Sequence, residues 1–132
     1  MQITPYLSFK GDCEAAFTFY AQCLGGELRP LFRYGGSPMA GSVPADWSDK
    51  IMHGSVTLPG LELNGADVAH YEEPKGFSLS IHITGAADAE RVFRELAADG
   101  KVLMQLEKTF WAERFGMVVD RFGIPWLINC GG

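Results

Sequence analysis

Over residues 77–84 the chain alternates strictly, Phe77, Leu79, Ile81 and Ile83 against Ser78, Ser80, His82 and Thr84. That period of two marks a strand with one face on a core. The period then lengthens to that of a helix. Ala89, Val92, Phe93 and Leu96 share one face, with Asp88 opening the helix and Gly100 closing it. Strands are predicted near 101–107, 115–119 and 124–129, the last two joined by the turn Asp120-Arg121-Phe122-Gly123. The N-terminal half runs in the same order. A strand over 3–9 leads to a helix capped by Asp12, with Glu14 in its first turn. Ala16, Phe19, Tyr20, Cys23 and Leu24 are placed on its buried face, and Gly25-Gly26 stops it. Strands follow at about 27–34 and 51–58, and Pro59-Gly60 turns the chain into 61–64.

Each half therefore reads β-α-β-β-β, module 1 over about 1–70 and module 2 over about 75–132. The polar stretch His70-Tyr71-Glu72-Glu73-Pro74-Lys75-Gly76 joins them. The expected fold is α+β, a single domain spanning 1–132 built from paired modules. A sheet with one helix leaves its other face uncovered, so two such faces are expected to form a concave cleft, within one chain or with a second copy in a homodimer. Residues 35–50, rich in Gly, Ser and Pro and carrying Trp47, read as a disordered insertion or a lid.

Composition narrows the function classes. A chain of 132 residues, 47% hydrophobic and 20% charged, can build a core without disulfide or metal staples. Its formal net charge of −5 offers no basic stripe for phosphates, which argues against nucleic acid or an anionic membrane as partner. Cys13, Cys23 and Cys130 have no metal-ligand spacing and read as small core side chains. No apolar run approaches about 18 residues, and Met1 leads straight into strand pattern, so a cytoplasmic location is expected.

Several short motifs carry a family resemblance. Pro5-Tyr6-Leu7-Ser8-Phe9, Phe19-Tyr20, Met52-His53-Gly54, Thr109-Phe110-Trp111, Phe115-Gly116, Asp120-Arg121-Phe122-Gly123, Pro125-Trp126 and Ile128-Asn129 span nearly the whole chain. Together with the paired modules they resemble the PhnB-like branch of the vicinal oxygen chelate superfamily. That superfamily includes glyoxalase I, fosfomycin-resistance proteins, extradiol dioxygenases and bleomycin-binding proteins. Some relatives carry a description as a 3-demethylubiquinone methyltransferase. This sequence has no Gly-rich strand-to-helix loop followed by an acidic residue, the feature that would hold a nucleotide-like cofactor.

The resemblance implies metal ligands on the first and last strand of each module. Matching the Pro59-Gly60 and Phe122-Gly123 turns assigns those positions to Thr4, Asn64, Ser78 and Leu127, none a His, Glu or Asp. A divalent ion needs several anionic or imidazole donors, so no metal and no cofactor are expected. By strand parity Tyr6, Ser8, Asn64, Ser78 and Ser80 face the cleft, and Trp111 is placed at its rim or at a dimer contact. Trp126, of opposite parity to Leu127, is assigned to the core. The leading expectation is metal-independent binding of a small, partly aromatic molecule. An alternative is a glyoxalase- or dioxygenase-like enzyme with an atypical centre at His53, Glu62 and His82. A further one is a structural or regulatory dimer.

Overall fold

The computed structural model describes residues 1–131, in two units, Met1–Glu72 and Glu73–Gly132. In the first unit, strand β1 (Tyr6–Phe9) leads to helix α1 (Cys13–Leu24). Two short strands follow, β2 (Glu27–Leu28) and β3 (Phe32–Arg33), then the long strands β4 (Ile51–Leu58) and β5 (Leu61–Asp67). The sheet order is β1-β5-β4-β2, with β3 also pairing to β4. β1 runs parallel to β5, Tyr6 beside Asn64, while β4 and β5 form an antiparallel hairpin with Ser55 beside Asn64.

The second unit repeats this plan. Strand β6 (Leu79–Ile83) precedes helix α2 (Ala86–Ala97), and β7 (Lys101–Glu107), β8 (Arg114–Val119) and β9 (Pro125–Cys130) complete a sheet ordered β6-β9-β8-β7. β6 is parallel to β9, with Ser80 beside Leu127 and His82 beside Asn129.

In each unit one helix covers one sheet face. Leu7, Phe9, Val56 and Leu63 pack with Cys13, Ala16, Phe17 and Tyr20 of α1, all essentially inaccessible. Val118, Trp126, Ile128 and Cys130 lie under Ala89, Val92, Phe93 and Leu96 of α2. Both helices need glycine at two matching places. A Cβ on Gly26, just after α1, would stand 2.4 Å from the Thr57 carbonyl oxygen; on Gly100, just after α2, 2.3 Å from that of Val119. Within the sheets, a Cβ on Gly65 would stand 2.8 Å from Phe17 and one on Gly116 2.7 Å from Phe93, the central ring of the respective helix. The two modules thus share contacts as well as element order.

Two buried carboxylates pin the loops. Asp67, at the end of β5, accepts the backbone N–H groups of Gly11 (3.0 Å) and Cys13 (2.9 Å) on Oδ1 and of Ile51 (2.9 Å) on Oδ2. Its carbonyl oxygen accepts the Tyr34 hydroxyl at 2.6 Å. Asp120 accepts the N–H groups of Phe122 (2.8 Å) and Ile124 (3.0 Å) and the indole N–H of Trp126 (2.8 Å), closing the β8–β9 turn.

Several sequence expectations are corrected in detail. The first strand is shorter than 3–9 and β5 extends beyond 64, because Asp67 is still held in the ladder beside Phe9. The predicted strand 27–34 is two short strands. The apolar face of α1 uses Phe17 rather than Phe19, which is only half-buried. Asp12 makes no side-chain capping bond at α1; Asp67, distant in sequence, takes the terminal amides instead. α2 starts at Ala86, before Asp88, and the residue that turns left-handed after it is Asp99 (φ 58°), leaving Gly100 for the close approach to Val119. Residues 35–50 form a hydrogen-bonded loop rather than a disordered insertion. Two short 3₁₀ turns, Ala40–Ser42 and Ala45–Trp47, lie inside it, its base is closed by Tyr34 N–H to the Lys50 carbonyl (3.0 Å), and Trp47 lies against Tyr34.

Candidate functional site

The face of the first sheet turned away from α1 carries the side chains of opposite parity to the core: Tyr6 and Ser8 on β1, Glu62 and Asn64 on β5, Ser55 and Thr57 on β4. The alternation slips at the start of β4, where Ile51 is buried while its N–H bonds Asp67. His53, of the same parity as Ser55 and Thr57, is on this face beside Phe32 of β3.

The result is one connected group. Tyr6 and His53, on strands either side of β5, reach over that strand to place the Tyr6 hydroxyl 3.3 Å from His53 Nδ1. The imidazole lies between two rings, its centroid 5.8 Å from Tyr6 and 6.5 Å from Phe32, with interplanar angles of 33° and 36°. Tyr6 and Phe32 remain 54% and 56% exposed, so the aromatic wall is open. Beside it, Ser55 donates to Asn64 Oδ1 at 2.6 Å. Desolvation, then the nearby Cys13 and Tyr34 groups, holds the Tyr6 phenol above its usual value, so it stays protonated at neutral pH.

The remaining expected residues are distributed as follows. Ser8 is half-buried on the same face. Glu62 also shares it, but pairs with Thr57, four residues along β4 from His53, about 13 Å at a strand's rise. His53 and Glu62 therefore do not meet as an atypical centre. His82, with Ser80, is exposed on β6 in the second unit, and Ser78 is exposed just before that strand. Asn129, beside His82 in the ladder, has a buried amide oxygen that meets no donor among the described residues. Trp111 lies in the connection before β8, edge-to-face with Phe110 (4.8 Å) and Phe115 (5.3 Å). Phe32 was missed in sequence because a two-residue strand shows no alternation. The Tyr6–His53 contact was missed because 47 residues separate the pair.

A divalent ion does not fit this donor set. His53 Nδ1 faces the Tyr6 hydroxyl, Asn64 Oδ1 is taken by Ser55, and the carboxylate of this face, Glu62, pairs with Thr57 rather than standing beside His53. No group of three or more His, Cys, Asp or Glu side chains is gathered as a metal site among the described residues. The ladders confirm that Asn64 and Leu127 hold equivalent positions, beside Tyr6 and Ser80.

Comparison with known proteins agrees over the full length. The family model described as 3-demethylubiquinone-9 3-methyltransferase matches residues 1–129. YjdN of Escherichia coli strain K12 is 35% identical, covering 98% of this chain and 95% of that protein. The structure of PA1353 from Pseudomonas aeruginosa superposes with a TM-score of 0.88 at 46% identity, covering 99% of this chain and 98% of that one. A PhnB protein from Bacillus cereus, described as a 3-demethylubiquinone-9 3-methyltransferase, gives 0.86 at 25% identity over 99% and 100%. With two β-α-β-β-β modules and these full-length matches, the chain belongs to the PhnB-like family, whose model is described as 3-demethylubiquinone-9 3-methyltransferase.

Proposed function

We propose that this chain binds a small, partly aromatic molecule on the uncovered face of its first sheet, without a metal ion. The observation that carries this is the Tyr6–His53–Phe32 wall. Three rings stand together on an open sheet face, next to a hydrogen-bonded Ser55–Asn64 pair. Aromatic surface with a few fixed polar groups is the usual lining of a small-molecule site. The residues at the superfamily's ligand positions supply hydroxyl, amide and alkyl groups, which recognise but do not chelate. Ser8 borders the same face. Ser78, Ser80 and Trp111, all in the second unit, stay candidates for ligand contacts within that unit.

The test is a thermal-shift screen of small aromatic compounds with and without a chelator. A hit should raise the midpoint equally in both, since a ligand stabilises by its occupancy of the folded state. The shift should vanish in His53→Ala. A shift that needs added divalent metal would reject the proposal.

A second copy of the chain is the proposed protein partner. Strand β7 is the edge of its sheet, and Val102, Leu103 and Met104 are 38%, 51% and 45% exposed along it. An apolar, unpaired edge is a surface that proteins ordinarily cover. Sedimentation should find a dimer, and Leu103→Lys should shift it toward monomer; a monomeric wild type would end this proposal.

A further inference from the structure

We infer that the Tyr6–His53–Asn64 face is a hydrogen-bond donor site, selective for a neutral aromatic ligand bearing a carbonyl oxygen. This deepens the function just proposed and rests on it. The polarity of two hydrogen bonds sets it.

The phenol of Tyr6 faces His53 Nδ1 at 3.3 Å. Of a phenol and a neutral imidazole, the phenol O–H is the stronger acid and the unprotonated ring nitrogen the stronger base. The hydroxyl therefore donates and Nδ1 accepts. A neutral imidazole that accepts at Nδ1 carries its proton on Nε2, so the outer edge of the ring is a donor.

The second bond works the same way. Ser55 Oγ and the Asn64 side chain meet at 2.6 Å. That separation lies within the O–H···O range and below the usual N–H···O range of about 2.7–3.2 Å. The Asn64 oxygen is thus the atom facing Ser55, and its NH₂ group is left over. No group among the described residues accepts from it. His53 and Asn64 are diagonal neighbours on adjacent strands, within reach of one bound molecule.

The two nitrogen groups that stay available, His53 Nε2–H and the Asn64 NH₂, are both donors, and the rings of Tyr6 and Phe32 supply flat apolar surface. The matching ligand places an acceptor oxygen between the donors and its ring on the aromatic wall. A carbonyl suits better than a carboxylate, because the chain carries a net charge of −5 and no Lys or Arg belongs to this group.

Acetophenone and aniline are the probes, neutral molecules of similar size that differ in offering an acceptor or a donor. Titrated into ¹⁵N-labelled protein at pH 7.5, acetophenone is expected to shift Tyr6, His53 and Asn64 and to bind about fivefold more tightly than aniline. Long-range ¹H–¹⁵N spectra of the free protein should show His53 as the Nε2–H tautomer. In Tyr6→Phe, an exposed substitution that spares the core, that tautomer and the preference should both weaken. Equal binding, a preference for aniline, or an Nδ1–H tautomer would overturn the donor assignment while leaving small-molecule binding intact. Failure of both probes to shift these residues would overturn the binding reading as well.

Discussion

Asp67 shows how much one side chain can carry. It is 1% exposed, and its carboxylate takes three backbone N–H groups from the start of α1 and the start of β4. Asp67→Asn turns one acceptor into a donor facing an N–H, and should cost roughly 3 kcal/mol of stability, read from urea unfolding. Loss under about 1 kcal/mol would mean the amides find other partners. Close by, burial pushes the Cys13 thiol up, with Asp67 adding to it, and burial likewise raises the Tyr34 phenol. Both groups hold their protons more tightly in the fold than in the unfolded chain. Their stabilising contribution is therefore complete below the unfolded values, about 8.5 and about 10, and is lost as pH rises through the higher folded ones. The urea midpoint should fall between pH 8 and pH 10.5, less steeply in Cys13→Ala; a flat profile would contradict the burial of these groups. The sequence displayed none of this, since Asp67 lies 54 residues from the amide it caps.

At the level of elements, alternation made β6 and β9 legible, and the 3.6-residue period located both helices. Trp126 was placed in the core by parity alone and is 3% exposed there. Short strands without alternation were not legible, which is why β2 and β3 merged in the sequence reading and Phe32 escaped notice. The paired glycines give the strongest evidence for the repeat. Gly26→Ala and Gly100→Ala should each destabilise severely, by about 2 kcal/mol or more, because the added methyl meets backbone oxygen at 2.4 and 2.3 Å. Gly41→Ala, where a Cβ would meet nothing within 4 Å and φ is not left-handed, should stay within about 0.5 kcal/mol. If all three behave alike in chemical denaturation, close packing is not what these positions require.

For the whole molecule, the duplicated module and the full-length matches establish the family, and the family's fold alone does not decide chemistry. Part of the candidate site is legible: parity places Tyr6, Ser8, Asn64 and His53 on polar strand faces. Bringing His53 to Tyr6 takes the sheet order β1-β5-β4, and Phe32 sits on a two-residue strand that shows no alternation. At the positions where the resemblance implies ligands, Thr4, Asn64, Ser78 and Leu127, the sequence offers no His, Asp or Glu. Among the described residues no helix is long and apolar enough to cross a membrane. The central claim is recognition of an aromatic ligand at Tyr6, Phe32 and His53 without a metal. It is tested most directly by following the amide resonances of those residues while small aromatic carbonyl compounds are added, once with chelator and once with added zinc. The account predicts the same saturable shifts in both samples; shifts that appear only with zinc, or that never involve these residues, would contradict it.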